Sequence, residues 1–218
     1  MQRSEYQKSL EELLQDILKM GGLVEENISR AMDSLAKQDL ESADKVFAVE
    51  EEIDKLERKI EKACLRLIAT QQPLAKDLRK IASALKIITD LERIGDYSVD
   101  IAKVTRRIGN EKLIKPLIDL PQMTRIVQEM VKNSLDAYVA EDVELAKAVG
   151  KDDDKVDAYH KQIFRELLVL MMENPRTIDQ ATNLLFVSRS LERIADHATN
   201  ISESVIYLVS GKRIDLNE

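Results

Sequence analysis

Apolar residues recur along this chain at spacings of three and four for almost its whole length, the period of an α-helix buried on one face. The first run, from about Ser4 to Lys37, carries Leu10, Leu14, Ile17, Val24, Ile28 and Leu35 on one stripe. Gly21 also falls on that stripe, where the missing side chain lets a second helix approach closely. Asp39 then has the chemistry of an N-cap, a short carboxylate that accepts from the free N–H groups of the following helix. The second helix has the seam Val46, Val49, Ile53, Leu56, Ile60, Ala63 and Leu67, spaced as in a coiled coil. Pro73 stops it, because proline cannot continue a helix interior, and a third helix is expected from about Leu74 to Gly109.

The stretch from Glu111 to Pro121, with a further proline at 116, reads as a connection, and beyond it the pattern starts again. Val24, Ile28, Ala31, Leu35 and Asp39 recur 103 residues later as Val127, Val131, Ser134, Tyr138 and Asp142. Leu91-Glu92-Arg93-Ile94-Gly95-Asp96 returns 100 residues later as Leu191-Glu192-Arg193-Ile194-Ala195-Asp196, so the offset shrinks near the second proline turn, at Pro175. These repeats predict an all-α fold of six long helices in two tandem three-helix bundles, residues 1–113 and 114–218, joined tail to head with a shorter fourth helix. A helix of about 30 residues is ~45 Å long, so a long rod or paired rods are expected.

Charge narrows the function. A net charge of -7 argues against a nucleic-acid partner, which calls for a basic face, and favours metal ions or basic partners. Cys64 is the only cysteine, which excludes an internal disulfide and fits a reducing cytoplasm; a buried small hydrophobe is its expected role. The polar N-terminus, Met1-Gln2-Arg3-Ser4-Glu5-Tyr6, has no apolar signal region, and no apolar run approaches the ~18 residues of a membrane span, so a cytoplasmic protein is expected.

The candidate chemistry lies in carboxylates four residues apart, one helical turn above one another. Glu92 and Asp96 form one pair, extended by Asp100, and Glu192 and Asp196 form its repeat. The preceding helices carry Glu50 with Asp54, and Asp153 with Asp157. In an antiparallel hairpin, residues at equal height lie symmetrically about the turn. Glu50 with Asp96 and Asp54 with Glu92 are both centred on Pro73, while Asp153 with Asp196 and Asp157 with Glu192 are centred between Asn174 and Pro175. Glu50, Asp54 and Glu92 each follow a stripe residue and so flank the buried line by ~100°. Two acidic quartets are therefore predicted, each needing a cation to offset its repulsion. All-oxygen ligation suits Mg, Mn, Ca or iron better than Zn, and closely set carboxylates can bridge several ions. Arg93 and Arg193 are expected to point elsewhere and pair with neighbouring acids. His160 and His197 are expected to be ordinary polar or packing residues.

The duplicated three-helix pattern and these Glu/Asp-x-x-x-Asp pairs resemble the PhoU family of phosphate-specific transport accessory proteins over essentially the whole chain. The resemblance implies a cytoplasmic, often dimeric protein, touching the membrane only through its partners, that restrains the phosphate-starvation response. Those partners would be a membrane sensor histidine kinase and the ATPase of the phosphate ABC transporter. It also implies multinuclear metal clusters, iron foremost, on Glu50, Asp54, Glu92, Asp96, Asp100, Asp153, Asp157, Glu192 and Asp196. Asn200 stands where a second Asp100 would be, so the second site is expected to hold fewer ions. Two other function classes compete with a regulatory adaptor. A scaffold with a merely solvated acidic groove is one. A carboxylate-bridged metal oxidase is the other, and it calls for Glu-x-x-His pairs that the chain lacks. With no nucleophile and base constellation, no glycine-rich phosphate loop and no basic phosphate pocket, neither catalysis nor direct phosphate binding is expected.

Overall fold

In the computed structural model, which describes residues 2–216 and side chains from residue 5 onward, every long apolar stripe is an α-helix. The elements are α1 (Gln2–Lys37), α2 (Leu40–Gln71), α3 (Ala75–Ile108), α4 (Asp119–Ala140), α5 (Val143–Glu173) and α6 (Ile178–Ser210), with one 3-10 turn at Pro175–Thr177 before α6. Both predicted N-caps form. Asp39 accepts from Ser42 N at 3.1 Å, and Asp142 accepts from Glu144 N at 2.9 Å and Leu145 N at 3.0 Å. The residue before each cap, Gln38 at φ 54 and Glu141 at φ 52, takes the left-handed conformation, so both halves turn the same tight corner. Glu141 is held there by Lys76 and Lys80, at 2.9 and 2.8 Å.

The connection is shorter than the prolines suggested. Helix α4 begins at Asp119, which places Pro121 inside its first turn. Proline is tolerated there because the first N–H groups of a helix have no intrahelical acceptor to lose. Gln38 anchors the start of the connection, its Nε2 donating to Gly109 O at 2.9 Å and Glu111 O at 2.6 Å. Gln180 anchors its middle, accepting from Ile114 N at 2.6 Å. With 22 residues against 36 in α1, α4 is the short helix that was expected.

The two bundles do not stack end to end. They lie side by side as paired rods around one continuous core that runs through all six helices. α3 and α6 form the central contact and run antiparallel: Arg79 donates to Leu208 O, Ser83 to Ser204 O, and Asp90 meets His197, so numbers rise on one helix as they fall on the other. Both helices are buried along most of their length, whereas α2 and α5 bury a single seam. The front of the molecule is thus a layer in the order α2, α3, α6, α5, backed by α1 and α4, which also touch each other. Cys64 sits inside this core, and burial pushes its thiol up to about 12.

Gly21 does mark a close approach, but to α4 of the other half and not within its own bundle: a Cβ there would overlap Leu135 Cδ1. Gly22 has nothing within 4 Å of the same position. Gly21→Ala should therefore lower stability by about 1 to 3 kcal/mol through overpacking. Gly22→Ala should be neutral or raise stability by up to about 1 kcal/mol. Denaturant melts of the two variants check the contrast.

Candidate functional site

The proline turns bring the acidic pairs together as their symmetry requires. Along α2 and α3, Leu91, Ile94, Ile53 and Leu56 point into the core, and the carboxylates beside them line the shallow groove between the two helices, each half-buried. Gly95 allows this closeness, since a Cβ there would stand 3.3 Å from Ile53 Cδ1. The carboxylates stand close enough to act on one another's charge. Burial and then the carboxylates of Asp54, Asp96 and Glu92 raise Glu50 to about 7, far above the usual 4.5. Glu92 is raised by burial and by Asp96, with Glu57 and Asp54 adding and Arg93 opposing.

The second quartet repeats this on α5 and α6. Asp153 is raised to about 6 by burial and by Asp196, Asp157, Asp154 and Glu192. It lines an open groove of ≈ 580 Å³ with Asp157, Asp196, Lys151 and Leu216 of the C-terminal tail. Arg189 donates to Glu192 Oε1 at 3.2 Å, which leaves the buried Oε2 without a well-aligned donor although Nη1 lies 2.9 Å from it.

Three sequence expectations need correction or extension. Arg93 and Arg193 do pair with neighbouring acids as expected, but those acids are the quartet's own and the arginines do not point elsewhere: Arg93 reaches Glu92 at 3.4 Å and Asp96 at 3.0 Å, and Arg193 reaches Asp196 at 3.1 Å. Their i+3 reach along the exposed rim accounts for this. Asp100 is engaged one turn further on by Lys103, at 2.7 Å, and is not among the main charges acting on Glu50 or Glu92. Glu57 was missed. It is raised by burial and by Glu61 and Asp54, extending the first acidic row along α2. Its spacing from Asp54 was visible, but its repeat partner is His160, so duplication hid it.

His197 belongs to neither quartet. Its Nδ1 lies 2.8 Å from Asp90 Oδ1, its ring lies 5.7 Å from that of Tyr97, and Asn200 donates to the same Asp90 oxygen at 3.3 Å. This polar contact ties α3 to α6 between the two acidic grooves. His160 bonds Ser188 at 2.6 Å.

A family model described as the PhoU domain matches residues 17–105 and again residues 120–205. The chain belongs to the PhoU family. A PhoU homolog from Clostridium acetobutylicum, named a phosphate-specific transport system accessory protein, is 44% identical over 219 residues and covers 100% of both chains. The crystal structure of PhoU from Pseudomonas aeruginosa superposes with a TM-score of 0.91 at 39% identity, over 95% of this chain and 100% of that one. That of the phosphate transport system regulatory protein PhoU from Streptococcus pneumoniae gives 0.90 at 31% identity, over 96% and 99%. These PhoU relatives are named as accessory and regulatory proteins, in line with the expectation of a non-catalytic chain.

The donors are all carboxylate oxygens, the ligand type that hard cations take. Each PhoU repeat supplies four half-buried carboxylates, and burial followed by their mutual repulsion raises one of them, Glu50 to about 7 and Asp153 to about 6. The opposing bases Arg58, Arg93, Lys161 and Arg193 sit on the solvent side, 45 to 65% exposed, where an ion pair contributes little. Among the described residues no three acidic, histidine or cysteine side chains already converge on one ion-sized point. The carboxylates instead lean toward these bases, so ion binding requires them to turn inward.

The raised groups set a pH dependence. The folded chain holds the Glu50 proton up to about 7, whereas the unfolded chain releases it near 4.5, so this contribution is complete below the lower value and lost as pH rises through the upper one. Asp153 acts the same way between 3.8 and about 6. Metal-free protein should lose melting temperature as pH rises from about 5 to about 8, and Glu50→Gln with Asp153→Asn should flatten that slope. Calorimetry in chelator checks it.

Proposed function

We propose that this chain is a metal-binding regulatory adaptor of phosphate homeostasis, cytoplasmic and dimeric, that restrains the phosphate-starvation response. The two rows of paired carboxylates that each repeat places along one groove, unsatisfied by buried bases, support the metal reading, and the names of the relatives support the phosphate reading. Glu50, Asp54, Glu92 and Asp96 would hold ions in one groove, with Asp100 at its edge; Asp153, Asp157, Glu192 and Asp196 would hold them in the other. Iron is the leading ion, with Mn, Mg and Ca the other candidates and Zn less suited to all-oxygen ligation. A bound cation would supply positive charge that draws paired helices together and gives the front face a second charge state. The partners on this reading are a sensor histidine kinase and the ATPase of the phosphate ABC transporter. Among the described residues no helix is long and apolar enough to cross a membrane, so contact with either would be peripheral.

A melt separates site from scaffold. Leu91 is fully buried, so Leu91→Ala should cost about 2 to 5 kcal/mol in any buffer. Glu92→Ala with Asp96→Ala should melt at or above the parent in chelator, because repulsion is relieved, and should lack the gain that Mn or Fe gives the parent. Protein purified without chelator should contain multivalent metal by elemental analysis. A double variant as unstable in chelator as Leu91→Ala would make the carboxylates structural and end the metal reading. For the regulatory role, deletion of the gene should switch on phosphate-uptake genes in phosphate-rich medium; unchanged transcript levels would overturn it.

A further inference from the structure

Beyond α6 the chain turns back on the molecule. Gly211 makes the turn in the left-handed conformation, at φ 71, with its N–H donating to Tyr207 O at 2.8 Å. Residues 212–216 then double back along α6 toward the second acidic groove. Arg213 lies over the Tyr207 ring, 5.8 Å from its centroid, and Leu216 N donates to Glu203 Oε1 at 3.0 Å. Residues 211–215 are exposed, whereas Leu216 is half-buried and packed against the core. The segment is thus a strap held at its far end.

Leu216 rests where α5 has no side chain of its own. A Cβ on Gly150 would stand 3.0 Å from Leu216 Cβ and 3.4 Å from its Cδ1. The first repeat fills the equivalent place from within its helix: Phe47 stands there, 103 residues earlier, packed against the core with the Arg106 guanidinium 3.9 Å over its ring. In that half the chain leaving α3 is drawn away to α6, where Gln180 accepts from Ile114 N at 2.6 Å and donates to Lys112 O at 3.2 Å. A fixed aromatic side chain in one repeat therefore corresponds, in the other, to a leucine borne by a separate segment.

Its position gives that leucine a role. Gly150 is one helical turn before Asp153, and Leu216 lines one groove with Asp153, Asp157 and Asp196. An apolar wall penalises carboxylates while they are charged and uncompensated, and ceases to once a cation offsets the charge. Burial is the largest influence raising Asp153. Docking of the strap and binding of a cation then favour each other, by the same factor in both directions. We propose that residues 212–216 form a cation-linked strap, with Leu216 seated more tightly in the Gly150 notch when the second groove holds a divalent cation and loosened when it does not. The proposal rests on the metal reading of the quartets, and it gives the second groove a movable segment through which its occupancy can be read.

The probe is Mn(II), titrated by calorimetry into the full chain carrying Glu92→Ala with Asp96→Ala, which leaves the second groove intact, and into Glu192→Ala with Asp196→Ala, which leaves the first. Removing the chain from Lys212 onward should weaken Mn(II) binding to the second groove at least about fivefold and leave the first unchanged. Gly150→Phe gives α5 the side chain that α2 carries at that place and displaces Leu216 with the strap still attached, so it should do the same. Strap release is read separately, as the rate at which trypsin cuts after Lys212 and Arg213, which follows the undocked population. Mn(II) should slow that cut by the factor that strap removal costs in affinity, and Gly150→Phe should abolish the slowing. Equal affinity with and without the strap, or a cutting rate indifferent to bound Mn(II), overturns the proposal while the metal reading stands. Equal weakening of both grooves would make the segment a general stabiliser and overturn it as well. Absence of Mn(II) binding in both backgrounds would end the metal reading and the linkage together, so the two failures remain distinct.

Discussion

The antiparallel pairing of α3 with α6 is the contact on which the rest of the molecule depends. It requires two helices that are buried almost all round, and small side chains meet at the contact, where buried Ser83 donates to the backbone of buried Ser204. Bringing these two helices together fixes where α2 and α5 must lie, one on each outer flank. It also puts both acidic grooves on the same face, separated only by the Asp90, His197 and Tyr97 contact. The α1 and α4 contact at Gly21 closes the back of the same arrangement.

Electrostatics then pulls against packing. The core residues Leu91 and Ile53 hold the hairpin shut, and in doing so they draw Glu50, Asp54, Glu92 and Asp96 toward one another. Rim arginines and lysines relieve part of the repulsion, but their exposure limits what they contribute, and burial of Glu50 works against its charge before any neighbour is counted. The fold thus holds like charges closer than they would stand on free helices.

Helix number, caps and the heights of the quartets were legible in the sequence because each depends on local periodicity and on symmetry about a turn. Asp39 and Asp142 cap as their residue type dictates, and Glu50 meets Asp96 because Pro73 fixes the hairpin centre. What escaped depends on side-chain reach or on packing between halves. Arg93 reaches three residues forward to Asp96, a rotamer choice that spacing leaves open. Pro121 looked like a helix breaker although a first-turn position tolerates it. Gly21 announced a close approach without saying that the neighbour came from the other repeat. The side-by-side arrangement of the bundles was one of two shapes the helix lengths allowed.

The connection from Gly109 to Ile118 does more than join two bundles. An association between two separate three-helix units would depend on their concentration, whereas a tether makes the partner permanently available. Tethering also removes the demand that the two surfaces be identical. In a symmetric pair, every residue of the contact would have to suit both its own position and its image. Here Asp90 meets His197, while the mates of those two residues in the other half are Ser190 and Tyr97. The same freedom reaches the outer faces, where Glu61 and Lys86 on one hairpin correspond to Phe164 and Phe186 on the other. Fusion therefore lets a nearly symmetric body present two different sides, so that whatever meets it can tell one half from the other.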